Sequence, residues 1–173
     1  MFRLADVART IDPENSAALL NDLRNWFARG VLHYTVDPAE GVEPDQPASK
    51  PGSPGLLSRH RVIQVAITVH LVRLGLPPKE AAHIAGSFSD VSTPPRLPGM
   101  LFPRGETVLA VWRRGAGPFE RRVLNPDPRE TARDLSFRVA GSAGLPPALI
   151  TINCGDLLRS LEPLIGPSPA YPV

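Results

Sequence analysis

The groups able to do chemistry in this 173-residue chain are few and widely spaced. Cys154 is the single cysteine, so an intrachain disulfide and a multi-cysteine metal site are both excluded. It stands at the end of an apolar run, just before Gly155-Asp156. A thiol at a helix N-terminus becomes acidic and reactive, whereas one buried among apolar groups is inert; we read Cys154 as buried and structural. His33, His60, His70 and His83 show none of the short His-x-His spacings by which ligands converge on a metal, so no metal and no cofactor are expected. A phosphate-cradling glycine loop, a hydrolase elbow and a catalytic carboxylate pair are likewise missing, and no enzyme is expected. What remains is recognition chemistry: amides, hydroxyls and guanidinium groups on helix faces and strand ends.

Charge narrows that chemistry only a little. Residues 1–99 hold ten Lys/Arg and ten Asp/Glu, and residues 100–173 hold nine Arg and seven acids, so the net +2 belongs to the second half. No stretch approaches the ~20 apolar residues that span a bilayer, and MFRLADVART lacks the apolar run of a signal peptide; a cytoplasmic, membrane-free protein is expected. The 21 prolines gather in residues 38–54, 94–103, 126–128 and 163–172. Proline fixes φ and removes a backbone donor, so those stretches are loops, linkers or tails.

The elements follow from periodicity. Leu4, Val7 and Ala8 give residues 3–10 one helical face. Asp12 as cap and Pro13 at the first position start a second helix, with Leu19, Leu20, Leu23, Trp26 and Phe27 on one stripe and Gly30 as its stop. Val31–Val36 alternates and reads as a strand, and Leu56-Leu57 as a short return strand after an exposed Pro/Gly-rich loop. Ser58 caps a third helix, apolar over most of its surface and therefore buried, and a short fourth helix follows Pro77-Pro78. Beyond residue 105, Glu106–Arg114 and Phe119–Leu124 form a hairpin, Ala148–Asn153 a strand and Gly155–Ile165 a helix, while residues 125–147 are ambiguous. The fold class is α+β: a mostly helical unit over residues 1–88, a linker over 89–105, a small α+β unit over 106–166 and a tail over 167–173.

The order helix, helix, strand, loop, strand, helix, helix, together with Leu23-Arg24-Asn25-Trp26-Phe27-Ala28-Arg29-Gly30-Val31-Leu32 and Gly75-Leu76-Pro77-Pro78-Lys79-Glu80-Ala81, resembles the winged helix-turn-helix head of MerR-type regulators over residues 2–88. The resemblance implies a sequence-specific DNA-binding protein, a transcriptional regulator acting on double-stranded DNA. In such a head the N-terminal turns of the second helix enter the major groove while the wing straddles neighbouring phosphates. Carried onto this chain, Asn15, Ser16 and Asn21 read base edges, a role suited to short amides and hydroxyls. Arg24 contacts phosphate, or pairs internally with Asp6 or Asp22. Trp26 packs near the DNA backbone, or serves with Phe27 as core. Arg59, His60 and Arg61, just after the wing, offer cationic contacts to phosphate.

The chain departs from that pattern in three places. Asp12 and Glu14 place carboxylates at the entrance of the recognition helix, and Asp37, Glu40, Glu43 and Asp45 face a lone Lys50 in the wing. No long coiled-coil helix follows residue 88, so a homodimer must be built through residues 106–166, whose strand edges can pair with a second copy. Arg113-Arg114 and Arg121-Arg122 at the hairpin ends are either solvated or a second anionic-partner patch. The other functional class left open is a protein-interaction adaptor that reuses the winged fold without DNA.

Overall fold

The computed structural model describes residues 1–38, 42–49, 55–140 and 148–168, and among them the chain is α+β, with six helices and two small antiparallel sheets. Strand β1 (Phe2–Arg3) leads into α1 (Leu4–Ile11) and α2 (Ser16–Ala28); β2 (Leu56–Leu57) precedes α3 (Arg59–Arg73) and α4 (Pro78–Ser89). Strands β3 (Val108–Arg113) and β4 (Phe119–Leu124), helix α5 (Ala132–Ala140), strand β5 (Leu149–Asn153) and helix α6 (Cys154–Ile165) complete it.

Helix α3 is the axis of the molecule. The Ser58 hydroxyl accepts from the Arg61 N–H at 3.2 Å and starts it, as its sequence predicts. Apolar residues lie all round it, so it has neighbours on every side. Val62, Val65 and Val69 pack with Val7 and Ala8 of α1, Leu19 and Leu23 of α2, and Leu57. Ile63, Ile67 and Leu71 join a second cluster with Ile84 and Phe88 of α4, Leu109 and Val111 of β3, and Leu158 and Leu161 of α6. Each such side chain contributes about 1.5–3 kcal/mol when fully buried. Helix α6 touches both α1 and α3, so residues from the 106–166 stretch and the 1–88 stretch share one core.

The larger sheet has the order β4-β3-β5, antiparallel throughout. Because side chains alternate along a strand, Leu109 and Val111 face the helices while Ala110 and Trp112 face the other way. Helix α5 covers that second face, with Leu135 and Val139 set against Ala110, Trp112 and Leu124. Part of the ambiguous stretch is thus a helix; residues 141–147 lie outside the described residues.

Two sequence expectations require correction. Residues 31–36 are not a strand. Chain direction reverses at Gly30 (φ 66°), and the N–H groups of Val31 and Leu32 donate back to the Trp26 carbonyl rather than to a ladder. Leu56–Leu57 pairs instead with Phe2–Arg3. Helix α2 also begins at Ser16, not Pro13. Asp12 closes α1, and its Oδ1 accepts from the Asn15 N–H at 3.0 Å, forming a turn between the helices.

Two buried charges pin the loops to this frame. In the described part of the long loop, the Asp45 carboxylate is fully buried. Its Oδ1 accepts from the Ser58 N–H at 2.7 Å, and its Oδ2 accepts from the Thr35 N–H at 2.8 Å and Arg61 Nε at 3.1 Å. Arg61 also donates to the Thr35 hydroxyl and is only 6% exposed. The second charge, Arg96, is wholly buried and donates to the carbonyls of Phe88 (2.9 Å) and Leu97 (3.0 Å), which ties the Pro-rich segment to the C-terminal end of α4.

Breaking a buried ion pair leaves its partner uncompensated, at a cost of about 3–5 kcal/mol. Asp45→Ala is therefore expected to lower stability by that amount in urea unfolding. The exposed Asp37→Ala is expected to stay within about 0.5 kcal/mol of the parent.

Candidate nucleic-acid interface

The outer face of α2 carries the polar groups expected there. Leu19 and Leu23 turn inward, and Asn21, Arg24 and Asn25 are left exposed between the exposed Ala17, Ala18 and Ala28. Small residues between the amides keep the helix surface slim, which suits close approach to a groove about 12 Å wide. Neither Arg24 nor Arg29 has an ion-pair partner among the described residues. Asp6, one alternative partner for Arg24, lies 3.5 Å from Arg9 instead.

The start of the helix is more constrained. Asn15 is exposed, but its Nδ2 donates to Asp12 Oδ1 at 3.3 Å, which leaves its side-chain carbonyl as the outward group. Ser16 is half-buried at the first helical position. Asp12 is balanced from behind, because its Oδ2 pairs with Arg73 of α3. One of the two carboxylates at the helix entrance is thereby neutralised, and Glu14 remains exposed. Trp26 is half-buried against the α1–α2–α3 cluster, and Phe27 stacks with Tyr34 at 4.7 Å between ring centroids. Both aromatics brace the helix.

The residues after the loop are placed differently. Arg61 is committed to Asp45. Arg59 is half-buried and donates to the Gly99 carbonyl at 3.3 Å and the Ser168 hydroxyl at 3.4 Å. Burial lowers its guanidinium from the ordinary value, partly offset by Glu43, and it stays charged at neutral pH. His60 accepts from the Glu43 N–H at Nδ1 (3.2 Å) and faces the Pro98 carbonyl through Nε2 at 3.2 Å. A ring that accepts at one nitrogen and donates at the other is the neutral Nε2–H form. Gly99 (φ 63°) lets this ring approach the backbone, since a Cβ there would meet His60 at 2.8 Å. Thus Asn21 and Arg24 share the outer side of α2 and Asn15 is exposed at the cap before it, while Arg59, His60 and Arg61 tie the loop, α3 and the Pro-rich segment together.

Sequence reasoning missed Asn25, exposed on α2, and Arg29, exposed at its C-terminal cap. The signal was available, because Asn25 follows Asn21 by one helical turn. Of the wing acids, Asp45 is internal, Asp37 and Glu43 are exposed, and Glu40 and Lys50 lie outside the described residues. Arg121 of the hairpin donates to the Ser87 hydroxyl at 2.5 Å, Arg114 pairs with Glu120 at 3.2 Å, and Arg122 is exposed. Cys154 is fully buried, and desolvation pushes its thiol up to about 12. No helix among the described residues is long and apolar enough to cross a membrane. No protein-family model matches the chain, and no curated protein matches it significantly.

Two outcomes follow from these environments. Desolvation, reinforced by Arg59 and opposed by the Pro98 carbonyl, Asp90 and Glu43, holds the His60 pKa below its ordinary 6.5. The unfolded chain therefore binds a proton more readily than the folded one, so this contribution is present above about pH 6.5 and is lost as pH falls through the folded value. Urea midpoints of the parent are expected to drop from neutral to mildly acidic pH, and His60→Gln to flatten that slope. Cys154 is expected to resist iodoacetamide in the native protein and to react fully in denaturant.

Proposed function

We propose that the protein is a sequence-specific DNA-binding protein, a transcriptional regulator that works by binding rather than catalysis and reads the major groove through α2. The observation that carries this proposal is the outer face of α2. There Asn21, Arg24 and Asn25 are exposed beside small alanines, on a helix whose orientation is fixed by α1 and α3. Asparagine can bond adenine in two places, and a free guanidinium neutralises phosphate. The order β1, α1, α2, β2, α3, α4 supports a MerR-like winged helix-turn-helix head. The wing in this account is the β1–β2 pair together with the bridge between Gln46 and Leu56.

A homodimer reading two half-sites completes the proposal. Strands β4 and β5 are the edges of the larger sheet, each paired on one side only among the described residues, and an unpaired edge is a template for a second copy. Two such heads would engage successive major grooves about 34 Å apart. Protein docking without DNA draws on a different observation: Arg59, His60 and Arg61 are all engaged within the chain, which weakens any phosphate clamp beside the wing.

Gel shift on fragmented genomic DNA at rising salt separates the two roles. DNA binding predicts retardation at low salt that fades steeply as salt increases. Arg24→Ala is expected to weaken it by roughly tenfold and to reduce the salt slope by about one phosphate. No retardation at the lowest salt would sink DNA binding and leave the adaptor.

A further inference from the structure

The two edges of the larger sheet differ in chemistry. Strand β4 carries Glu120, Arg121 and Arg122 in succession, whereas β5 (Leu149-Ile150-Thr151-Ile152-Asn153) carries no charge. Charged side chains keep an edge from pairing with another chain, and uncharged β-branched ones favour it. Arg121 is moreover engaged with Ser87 of α4. Among the described residues β5 pairs with β3 alone. Its Thr151 is exposed and borders two clefts, one of about 330 Å³ toward α3 and α6 and one of about 180 Å³ toward α5. Those clefts lie on opposite faces of the sheet, and one residue borders both where the edge between them is open.

The register fixes which backbone groups point outward. The Cys154 N–H donates to the Thr107 carbonyl at 2.8 Å, and β5 runs antiparallel to β3 with Leu109 opposite Ile152 and Val111 opposite Ile150. Opposed residues exchange both bonds at every second position, so Ile150 and Ile152 bond inward to β3. Leu149 and Thr151 therefore turn their N–H and C=O groups, and Asn153 its N–H, to the open side. A twofold axis through Thr151 matches these groups: Thr151 exchanges both bonds with the partner's Thr151, and the Leu149 carbonyl accepts from the partner's Asn153 N–H. On the helix side, Ile150 falls opposite the partner's Ile152, at the cleft lined by Ile152 and Leu157. Asp156, the carboxylate of that cleft, is paired with Arg159 and brings no unbalanced charge. The same operation on β4 sets like against like, because an axis through Glu120, Arg121 or Arg122 opposes that charge to itself. Directly opposed like charges destabilise a sheet, and paired threonines stabilise it. Charge thus selects β5.

We propose that two copies of this chain associate through β5, antiparallel about a twofold axis at Thr151, so that their larger sheets join into one. The interface is isologous, each copy offering the same edge. This rests on the homodimer reading above and narrows it to one edge and one register. It does not depend on which helix meets DNA, and a failed gel shift leaves it standing.

Sedimentation equilibrium of the full chain and three variants tests the proposal. The parent is expected to dimerise. Thr151→Lys sets two like charges on the axis from an exposed position, and is expected to raise the dimer Kd at least about tenfold without moving the unfolding midpoint of the dilute chain. Arg122→Ala, exposed on β4, is expected to leave that Kd within about twofold. In Thr151→Cys the axis brings the two Cα atoms to about 5.5 Å, within the reach of a disulfide. Copper–phenanthroline oxidation is expected to cross-link that variant as a dimer, while Cys154 stays buried and unreactive. A dimer indifferent to Thr151→Lys, or one that weakens with Arg122→Ala instead, would overturn the β5 assignment and leave the homodimer standing. A monomer up to about 1 mM chain would end both. A Thr151→Cys dimer that fails to cross-link would also overturn the assignment, and this nearly isosteric variant serves even where the lysine variant misfolds.

Discussion

The carboxylate of Asp45, sealed against Arg61, is the constraint on which the first half of the molecule depends. One side chain takes hydrogen bonds from Ser58, Thr35 and Arg61, and so joins the loop, the chain leaving α2 and the first turn of α3. Removing two charges from water is expensive, and the pair is tolerated because the lone pairs of the carboxylate are nearly all used. A charge placed this way specifies geometry. The loop has one position in which Asp45 is paired, and in that position Ser58 caps the central helix.

That geometry decides which charges face solvent. Arg61 is turned into the core, Arg59 and His60 are drawn toward Gly99 and Pro98, and Arg73 is held against Asp12. Cations that a linear view places beside a wing act instead as fasteners between segments. The polar face of α2 is left exposed, and the proposed recognition role rests on it. Helix α6 adds a second layer of restraint by packing on α1 and α3, so the frame behind α2 is contributed by both ends of the chain.

Features set by local chemistry were legible in the sequence. The all-round apolar surface of residues 62–71, the Ser58 cap and the alternation of the β3–β4 hairpin each carry their own signal, and the structure has them. What failed was long-range. Asp45 looked like one more solvated acid because its partner lies 16 residues away, and only tertiary packing brings them together. Residues 31–36 alternate as a strand does, but the β2 residues that might have paired with them are taken by Phe2–Arg3. Helix α5 was obscured because Leu135 and Val139 give it only a thin apolar stripe. For the candidate interface, the polar face of α2 was visible from periodicity, whereas the inward commitment of residues 59–61 was not.

The central claim is that α2 is the recognition surface and that residues 59–61 are structural. Amide chemical-shift mapping of the full chain during titration with a bound duplex addresses both parts at once. The account predicts large perturbations across residues 15–25 with the greatest change at Asn21, Arg24 and Asn25, and little change at Arg59–Arg61. Perturbations concentrated in residues 106–166, with α2 silent, would contradict it.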